Sequence, residues 1–250
     1  MSVNVLAFHF PGLPQVGCAF QLRRDPAPDA PASGGNISFA VNGDPAENVL
    51  AARRGLAAGL HIAHWAELRQ VHGDGLLFDP EPVAAEAQPV AEGDGMATDR
   101  PGLPLCIKTA DCQPILLAHT GGRHIAALHV GWRGNRRGFP QSAVRRFCER
   151  YRLSPRDILA VRGPSLGPDR AEFIHFDTEW GEGFRPWFQP ENRTVDLWGL
   201  TRHQLLEAGL EARHIFGVDI CTASNPRLCF SHRRHPASGR QASLIWLRED

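Results

Sequence analysis

Residues 103–134 read LPLCIKTADCQPILLAHTGGRHIAALHVGWRG, and this stretch decides the fold class. Three apolar runs, at 103–112, 114–119 and 124–130, have the length and composition of buried β-strands. Polar or glycine-containing segments separate the runs, and a turn with two glycines follows the third. The stretch therefore predicts a group of strands in the middle of the chain.

Helices and further strands are predicted on either side of this group. Asp44, Pro45 and Glu47 form a typical helix start, with a capping acid, a proline in the first turn and a glutamate three residues after the cap. Because helices fall between groups of strands, the pattern favours an α+β fold with mixed β-sheets layered between helices, in one compact domain over 1–250. The predicted helices are 44–58, 140–151 and 195–209, and the further strands are one ending near Leu22, 64–72, 158–161 and 243–247.

The composition excludes several classes of protein. The chain has 250 residues, 27 basic and 27 acidic side chains and a formal net charge of zero. Sequence-independent binding of nucleic acid needs an excess of positive charge, so nucleic acid is not an expected partner. A membrane span needs an apolar run of ~18 residues, so a membrane is not expected either. Six cysteines without a CxxC pair, and an N-terminus without a basic n-region, predict reduced thiols in the cytoplasm and exclude a zinc ribbon. No feature of the sequence indicates an oligomeric state.

Three motifs each place a metal-binding or nucleophilic side chain at the end of a predicted strand. His72 lies in RQVHG (69–73), Cys112 in TADCQP (109–114) and His129 in ALHVGWRG (127–134). Binding and catalytic groups often lie at such positions, because the strands form a rigid scaffold. One thiolate and two imidazoles would leave a fourth position open on zinc, which is typical of catalytic zinc sites.

Two other interpretations of these residues stay open at this point. Cys112 and His129 could form a metal-free nucleophile and base pair. Alternatively, each side chain is simply packed in its strand, since cysteine is among the most buried residue types. Spacing alone does not decide between a zinc site, a Cys–His pair and ordinary core residues.

The order and spacing of the motifs resemble those of the laccase-domain purine nucleoside phosphorylases, a family long labelled polyphenol oxidase or multicopper oxidoreductase laccase. The resemblance spans nearly the whole chain, and so many motifs in one order are a specific signal. Besides the three segments above, it rests on GGNIS (34–38), NGD (42–44), GDGMAT (93–98), GPSLGP (163–168), CT (221–222), FSHRR (230–234) and SGR (238–240).

The resemblance implies a zinc-dependent enzyme that acts on purine nucleosides and phosphate. The family is associated with phosphorolysis of adenosine, inosine, guanosine and methylthioadenosine, and with deamination of adenosine to inosine. By motif matching, His72, Cys112 and His129 are the metal ligands and the catalytic residues. Zinc is the implied cofactor, although copper also suits one thiolate with two imidazoles.

Phosphate binding points to arginine, because guanidinium groups bind phosphate bidentately. Arg133, four residues after His129, is the first candidate for the phosphate. Arg53 matches an arginine in a helix pattern of the family, but Ala52 stands where that pattern has asparagine. Asn36, which follows two glycines, is a further candidate for substrate contact.

Other features limit these expectations. His232 replaces the tyrosine of the family's FSYRR segment, which bears on substrate preference more than on metal binding. The chain has 12 histidines but no His-x-His pair, so one mononuclear site is expected and a copper cluster is not. Asp111 is interpreted as an acceptor for a backbone donor, and Trp132 as a core residue. Lys108, the only lysine, is left out of the site because it lies about 13 Å from Cys112 along an extended backbone.

Competing functions for the same residues are a Cys–His hydrolase that edits a cell-wall precursor, a copper-binding polyphenol oxidoreductase, and a metal-binding protein without catalysis.

Overall fold

The computed structural model describes residues 4–24, 30–41 and 43–249. The helices of this part of the chain are α1 (Ala46–Leu60), α2 (Trp132–Arg136), α3 (Phe139–Tyr151), α4 (Phe176–Glu179) and α5 (Leu197–Glu207). The strands are β1 (Val5–Ala7), β2 (Val16–Gln21), β3 (Leu76–Phe78), β4 (Gly95–Thr98), β5 (Leu105–Thr109), β6 (Gln113–His119), β7 (Ile125–Val130), β8 (Ile158–Arg162), β9 (Phe188–Gln189), β10 (Thr194–Val195), β11 (Ile215–Gly217) and β12 (Gln241–Leu247).

Two sheets form the centre of the fold. The first has the order β1-β2-β12-β5, and its strands pair antiparallel throughout. The second has the order β11-β8-β6-β7-β4-β3. Its inner pairs are antiparallel, whereas β11–β8 and β3–β4 are parallel. The second sheet is therefore mixed, as predicted, and the first is not.

The alternation of side chains along β6 shows how the layers are arranged. Leu116 and Ala118 pack between the two sheets, whereas Ile115 and Leu117 pack with α3 and α5 on the other face. The outer face of the first sheet packs with Leu56 of α1. The order of layers is thus α1, first sheet, second sheet, then α3 with α5. This arrangement confirms the predicted α+β class with sheets between helices.

Most predicted elements are present with small shifts at their ends, but two details of the prediction are wrong. Residues 64–72 do not form a continuous strand; Trp65, Ala66 and Arg69 make isolated bridges to three different partners. The carboxylate of Asp44 does not cap α1, which begins after Pro45 without a side-chain cap. The predicted helix 195–209 is observed as α5, where the Asp196 side chain caps the helix by accepting a hydrogen bond from the Gly199 amide. The stretch 25–34, whose alanines and prolines predict a surface loop, falls partly outside the described residues.

Every cysteine in the chain is a free thiol. None of the described helices combines the length and the apolar character needed to cross a bilayer.

Candidate active site and metal centre

Strand pairing brings two of the three motif residues together. Cys112 directly precedes β6, and His129 is the penultimate residue of β7. The two strands are antiparallel with Gln113 opposite Val130, so the start of β6 lies beside the end of β7. His72 reaches the same place from a loop, where its backbone is left-handed with φ of 58°.

His72, Cys112 and His129 form one compact group of potential ligands. A nitrogen of each imidazole and the Cys112 sulfur lie within 4.8 Å of one another. The two histidine rings meet edge to face, with centroids 4.9 Å apart. His129 is buried, Cys112 half-buried and His72 exposed, so the group is open on one side. Among the described residues, this is the one group of three or more such side chains that meets this spacing.

Asp94 fixes the orientation of His129. The Asp94 side chain is fully buried, and its Oδ1 lies 2.7 Å from Nδ1 of His129. The His129 amide also donates to the Asp94 carbonyl, at 2.6 Å. Because Nδ1 is held by a carboxylate, Nε2 is the nitrogen left to bind a metal, as in many carboxylate–histidine–metal arrangements.

The same carboxylate holds the loop that carries His72. Oδ1 of Asp94 accepts the His72 amide at 2.9 Å, and Oδ2 accepts the amides of Gly73 at 2.7 Å and Val71 at 3.3 Å. These bonds stabilise the left-handed backbone of His72, which non-glycine residues seldom adopt. Asp94 was not among the predicted site residues, although it lies in the GDGMAT segment of the resemblance.

The ionisation of Cys112 suits a metal ligand. Burial raises the pKa of the Cys112 thiol, but the charges and hydrogen bonds of His129 and His72 outweigh burial and lower this pKa to about 6. Burial lowers the pKa of His129, but the Cys112 thiolate and the bond to Asp94 raise it to about 9. For Asp94, burial raises the pKa, but His129 and two backbone amides bring it below its usual range. Near neutral pH the metal-free group is therefore a Cys112 thiolate beside a protonated His129, and His129 would release its proton when a metal binds.

Gly131 leaves the room that the group needs. A Cβ atom on this residue would lie 3.1 Å from the Cys112 sulfur and 3.1 Å from Cδ2 of His72. Any larger residue would therefore push the ligands apart.

The group lies in the wall of a cavity of about 700 Å³, within the size range of small-molecule sites. Phe39, Trp132, Phe173 and His175 give the cavity aromatic surfaces. Trp132 is half-buried and packs edge to face on Phe173, so it is both a packed residue, as predicted, and part of the wall.

The three predicted substrate contacts have different surroundings. Arg133 is exposed at the cavity, and its guanidinium carbon lies 4.4 Å from the Trp132 ring centroid. No carboxylate pairs with it among the described residues. Arg53 also lines the cavity but is 1% exposed, and its two Nη atoms bond the Glu67 carboxylate at 2.9 and 3.2 Å.

Both polar atoms of the Asn36 side-chain amide form hydrogen bonds within the protein. Nδ2 donates to the Ser38 carbonyl at 3.1 Å and to the Asp44 carboxylate at 2.8 Å. Oδ1 accepts the amides of Ser38 and Arg240. With 1% exposure and every polar position used, Asn36 has no free group for a substrate. Its contribution is to join the 34–38 turn to the start of β12.

The sequence predicted only one of the contacts of Asp111, and it placed Lys108 outside the site. Asp111 accepts the Arg233 amide at 2.6 Å, as the backbone-acceptor interpretation predicted, and also the Thr222 hydroxyl at 2.6 Å. Its φ of 91° ends the extended run before Cys112, so β5 stops at Thr109. Lys108, which was left out of the site, lines the same cavity as Cys112.

Comparison with known proteins agrees with this fold. The chain is 38% identical over 197 residues to a purine nucleoside phosphorylase of Xylella fastidiosa, covering 74% of this chain and 72% of that protein. It is 34% identical to the purine nucleoside phosphorylase YfiH of Escherichia coli, covering 82% and 83%. The solved structure of YlmD from Geobacillus stearothermophilus superposes with a TM-score of 0.81 at 27% identity, over 96% of this chain and 94% of that one. Residues 17–248 match the family described as multi-copper polyphenol oxidoreductase laccase, and the chain therefore belongs to that family.

Proposed function

We propose that this protein is a metal-dependent purine nucleoside phosphorylase. The observation that carries the proposal is the compact group of His72, Cys112 and His129 in the wall of a cavity large enough for a nucleoside. Relatives named purine nucleoside phosphorylase, at 34–38% identity, support the same activity.

Zinc is the metal we propose for the site. One thiolate, two imidazoles and an open side fit a catalytic zinc ion, and Asp94 supplies the outer hydrogen bond that orients one imidazole. A zinc ion bound there would act as a Lewis acid. Copper is the alternative ion, since the same donors bind it well. The absence of any His-x-His pair from the sequence argues against a multicopper cluster.

The chain's own residues would bind and orient the reactants. In phosphorolysis, a phosphate oxygen forms a bond to the anomeric carbon of the ribose while the bond to the purine nitrogen breaks. Arg133 suits the phosphate, because its guanidinium is exposed at the cavity and has no carboxylate partner among the described residues. Trp132 and Phe173 suit the flat purine, since aromatic faces stack on bases.

We further propose that the site deaminates adenosine to inosine and accepts inosine, guanosine and methylthioadenosine for phosphorolysis. In deamination, water adds at the purine carbon that bears the amino group, and ammonia leaves. Both reactions would use the same ligands, so loss of Cys112 should abolish them together.

A nucleoside turnover assay tests the proposal. Zinc-loaded protein is incubated with adenosine, with and without phosphate, and adenine, ribose 1-phosphate and inosine are separated by chromatography. Wild type should form all three with phosphate present, Cys112→Ala should form none, and Cys148→Ala, a buried cysteine of α3, should match wild type. If the zinc-loaded wild type forms no product from any of the four nucleosides, the proposal is wrong.

The lowered pKa of Cys112 beside His129 also supports a second candidate, a metal-free Cys–His hydrolase that edits a cell-wall precursor. Alkylation of Cys112 at the same rate with and without zinc would favour this hydrolase. Oxidation of a catechol by copper-loaded but not zinc-loaded protein would favour the polyphenol oxidoreductase.

A further inference from the structure

A buried ionic cluster lies in the cavity wall at the end of β5. Arg53 of α1 donates to Glu67 through Nη2 at 2.9 Å and through Nη1 at 3.2 Å. Nζ of Lys108 lies 3.2 Å from Oε2 of Glu67, the oxygen to which Nη1 of Arg53 also donates. The side chains of Arg53 and Glu67 are 1% and 0% exposed, whereas that of Lys108 is 13% exposed. All three residues line the cavity that holds the metal ligand group.

The charges of this cluster do not balance. Two cations share one carboxylate, so one positive charge is left over in a mostly buried place, where charges are normally paired. Both Nη atoms of Arg53 are hydrogen-bonded, since Nη1 also donates to the Ile37 carbonyl at 3.1 Å, whereas its buried Nε has no partner among the described residues. Within the described residues, the Lys108 ammonium contacts Glu67 alone and keeps free N–H groups.

The cavity as a whole is also cationic, although the chain is neutral. Six basic side chains line it against four carboxylates. Most of these cations have protein partners: Arg69 pairs with Glu92, Arg233 donates to the Glu172 carbonyl, and Arg240 donates to the Gly239 carbonyl. The Arg133 guanidinium has no hydrogen-bond or ion-pair partner among the described residues, and the Lys108 ammonium has Glu67 alone. The six basic residues are Arg53, Arg69, Lys108, Arg133, Arg233 and Arg240.

Thr109, the next residue of β5, also has an unsatisfied group, on the opposite face of the strand from Lys108. The Thr109 hydroxyl is buried and has no hydrogen-bond partner among the described residues, and Thr109 also lines the cavity. The backbone here is held firmly, because the Gln70 side chain bonds both the amide and the carbonyl of Lys108, at 2.9 and 2.7 Å. A free ammonium in a cavity wall, on a fixed strand, favours an oxyanion as ligand.

We propose that Lys108 binds the phosphate substrate, and that Glu67 and Arg53 are positioning residues that hold its ammonium at the cavity wall. The inference rests on the proposed phosphorolysis for the identity of the oxyanion. It adds Lys108 to Arg133, the residue that the sequence named first for the phosphate, and gives Arg53 a supporting role instead of a substrate contact. A lysine suits this place because its ammonium has three donors, so it binds Glu67 and still offers an N–H to a phosphate oxygen.

Direct binding measurements test the proposal without relying on turnover. Inorganic phosphate is titrated calorimetrically into the zinc-loaded wild type and into Lys108→Gln, Lys108→Arg and Arg54→Gln. Arg54→Gln is the matched control. Arg54 is the neighbour of Arg53 on α1, but it forms a solvent-exposed ion pair with Glu86. We expect at least a 10-fold weaker phosphate affinity for Lys108→Gln, a smaller loss for Lys108→Arg and none for the control. Lys108→Gln should fold, since it leaves Arg53 and Glu67 as a balanced pair.

Steady-state kinetics then show whether Lys108 affects phosphate binding without affecting nucleoside binding. Lys108→Gln should raise KM for phosphate at least 10-fold and leave KM for the nucleoside within twofold. Unchanged phosphate affinity in Lys108→Gln, or no phosphate binding by wild type, would overturn the inference even if nucleosides are turned over. Lys108-dependent phosphate binding without turnover would leave the inference standing and refute the phosphorylase. Adenosine monophosphate serves as a further arm: if its binding depends on Lys108 but that of inorganic phosphate does not, the site takes a phosphate ester and the proposal is wrong.

Discussion

Replacing Asp94 by asparagine should weaken zinc binding, because this carboxylate supports both imidazole ligands at once. Oδ1 accepts from His129 and from the His72 amide, and Oδ2 accepts from the amides of Gly73 and Val71. An asparagine has one oxygen, so its NH₂ group must face one of these two pairs of donors. Either the ring of His129 or the backbone beside His72 then loses its acceptor.

The magnitude follows from the bonds lost. A hydrogen bond to a charged group contributes about 1.5–3 kcal/mol, and each ~1.4 kcal/mol is a factor of ten in affinity. We therefore expect zinc to bind Asp94→Asn about 10–100 times more weakly, the range found for outer partners of metal-bound histidines.

Competition with a chromophoric chelator measures this change in zinc affinity. The matched control is Asp74→Asn, an exposed carboxylate two residues after His72. Urea unfolding of the metal-free proteins shows whether Asp94→Asn remains folded under the assay conditions. If folded Asp94→Asn binds zinc with wild-type affinity, the carboxylate does not support the ligands and our reasoning about this residue fails.

Three further predictions follow from the surroundings of the site. In metal-free protein, the rate at which iodoacetamide alkylates Cys112 should rise with pH around a midpoint of about 6, because the reactive thiolate forms above this pKa and is lost below it. A midpoint near about 8.5, the pKa of an ordinary cysteine, would contradict the lowered pKa. Gly131→Ala should weaken zinc binding in the chelator assay, because its Cβ would lie 3.1 Å from the Cys112 sulfur, whereas Gly183→Ala, with no atom within 4 Å, should not; equal affinities would refute the steric argument. Glu67→Gln should lower the free energy of unfolding in urea by about 3–5 kcal/mol, since it leaves two buried cations without their carboxylate, while Arg54→Gln in an exposed pair should change it by about 0–1 kcal/mol. Similar losses of unfolding free energy for Glu67→Gln and Arg54→Gln would show that burial of the ion pair does not determine its contribution.

The elements that were predicted well are those whose signals are local. The apolar runs at 114–119 and 124–130 are observed as β6 and β7 with one-residue shifts, because continuous apolar composition is sufficient for strands buried on both faces. Residues 64–72 show a comparable local pattern but do not form a strand, since Ala66 and Arg69 bridge to different parts of the chain. Sheet membership depends on available partners, which no local pattern specifies.

Within the site, the sequence indicated the chemistry of single residues but not which residues contact one another. Residue types and strand-end positions made His72, Cys112 and His129 candidates, and the family resemblance identified them as a ligand set. Asp94 was missed because its role depends on contacts with residues 21 to 35 positions away in sequence. Arg53 had the right chemistry for phosphate, but both of its Nη atoms bond the buried Glu67 carboxylate and its Nε is buried.

Sequence by itself determined the α+β class, the family and the three residues that form the ligand group, because strand-forming composition and motif chemistry are properties of short segments. Tertiary structure alone decided which side chains are free to act. Lys108 was set aside on its distance from Cys112 along the strand, yet both line one cavity. Charge pairing, exposure and pKa depend on distances through space between segments far apart in the chain, and only the packing of α1 and the two sheets determines those distances.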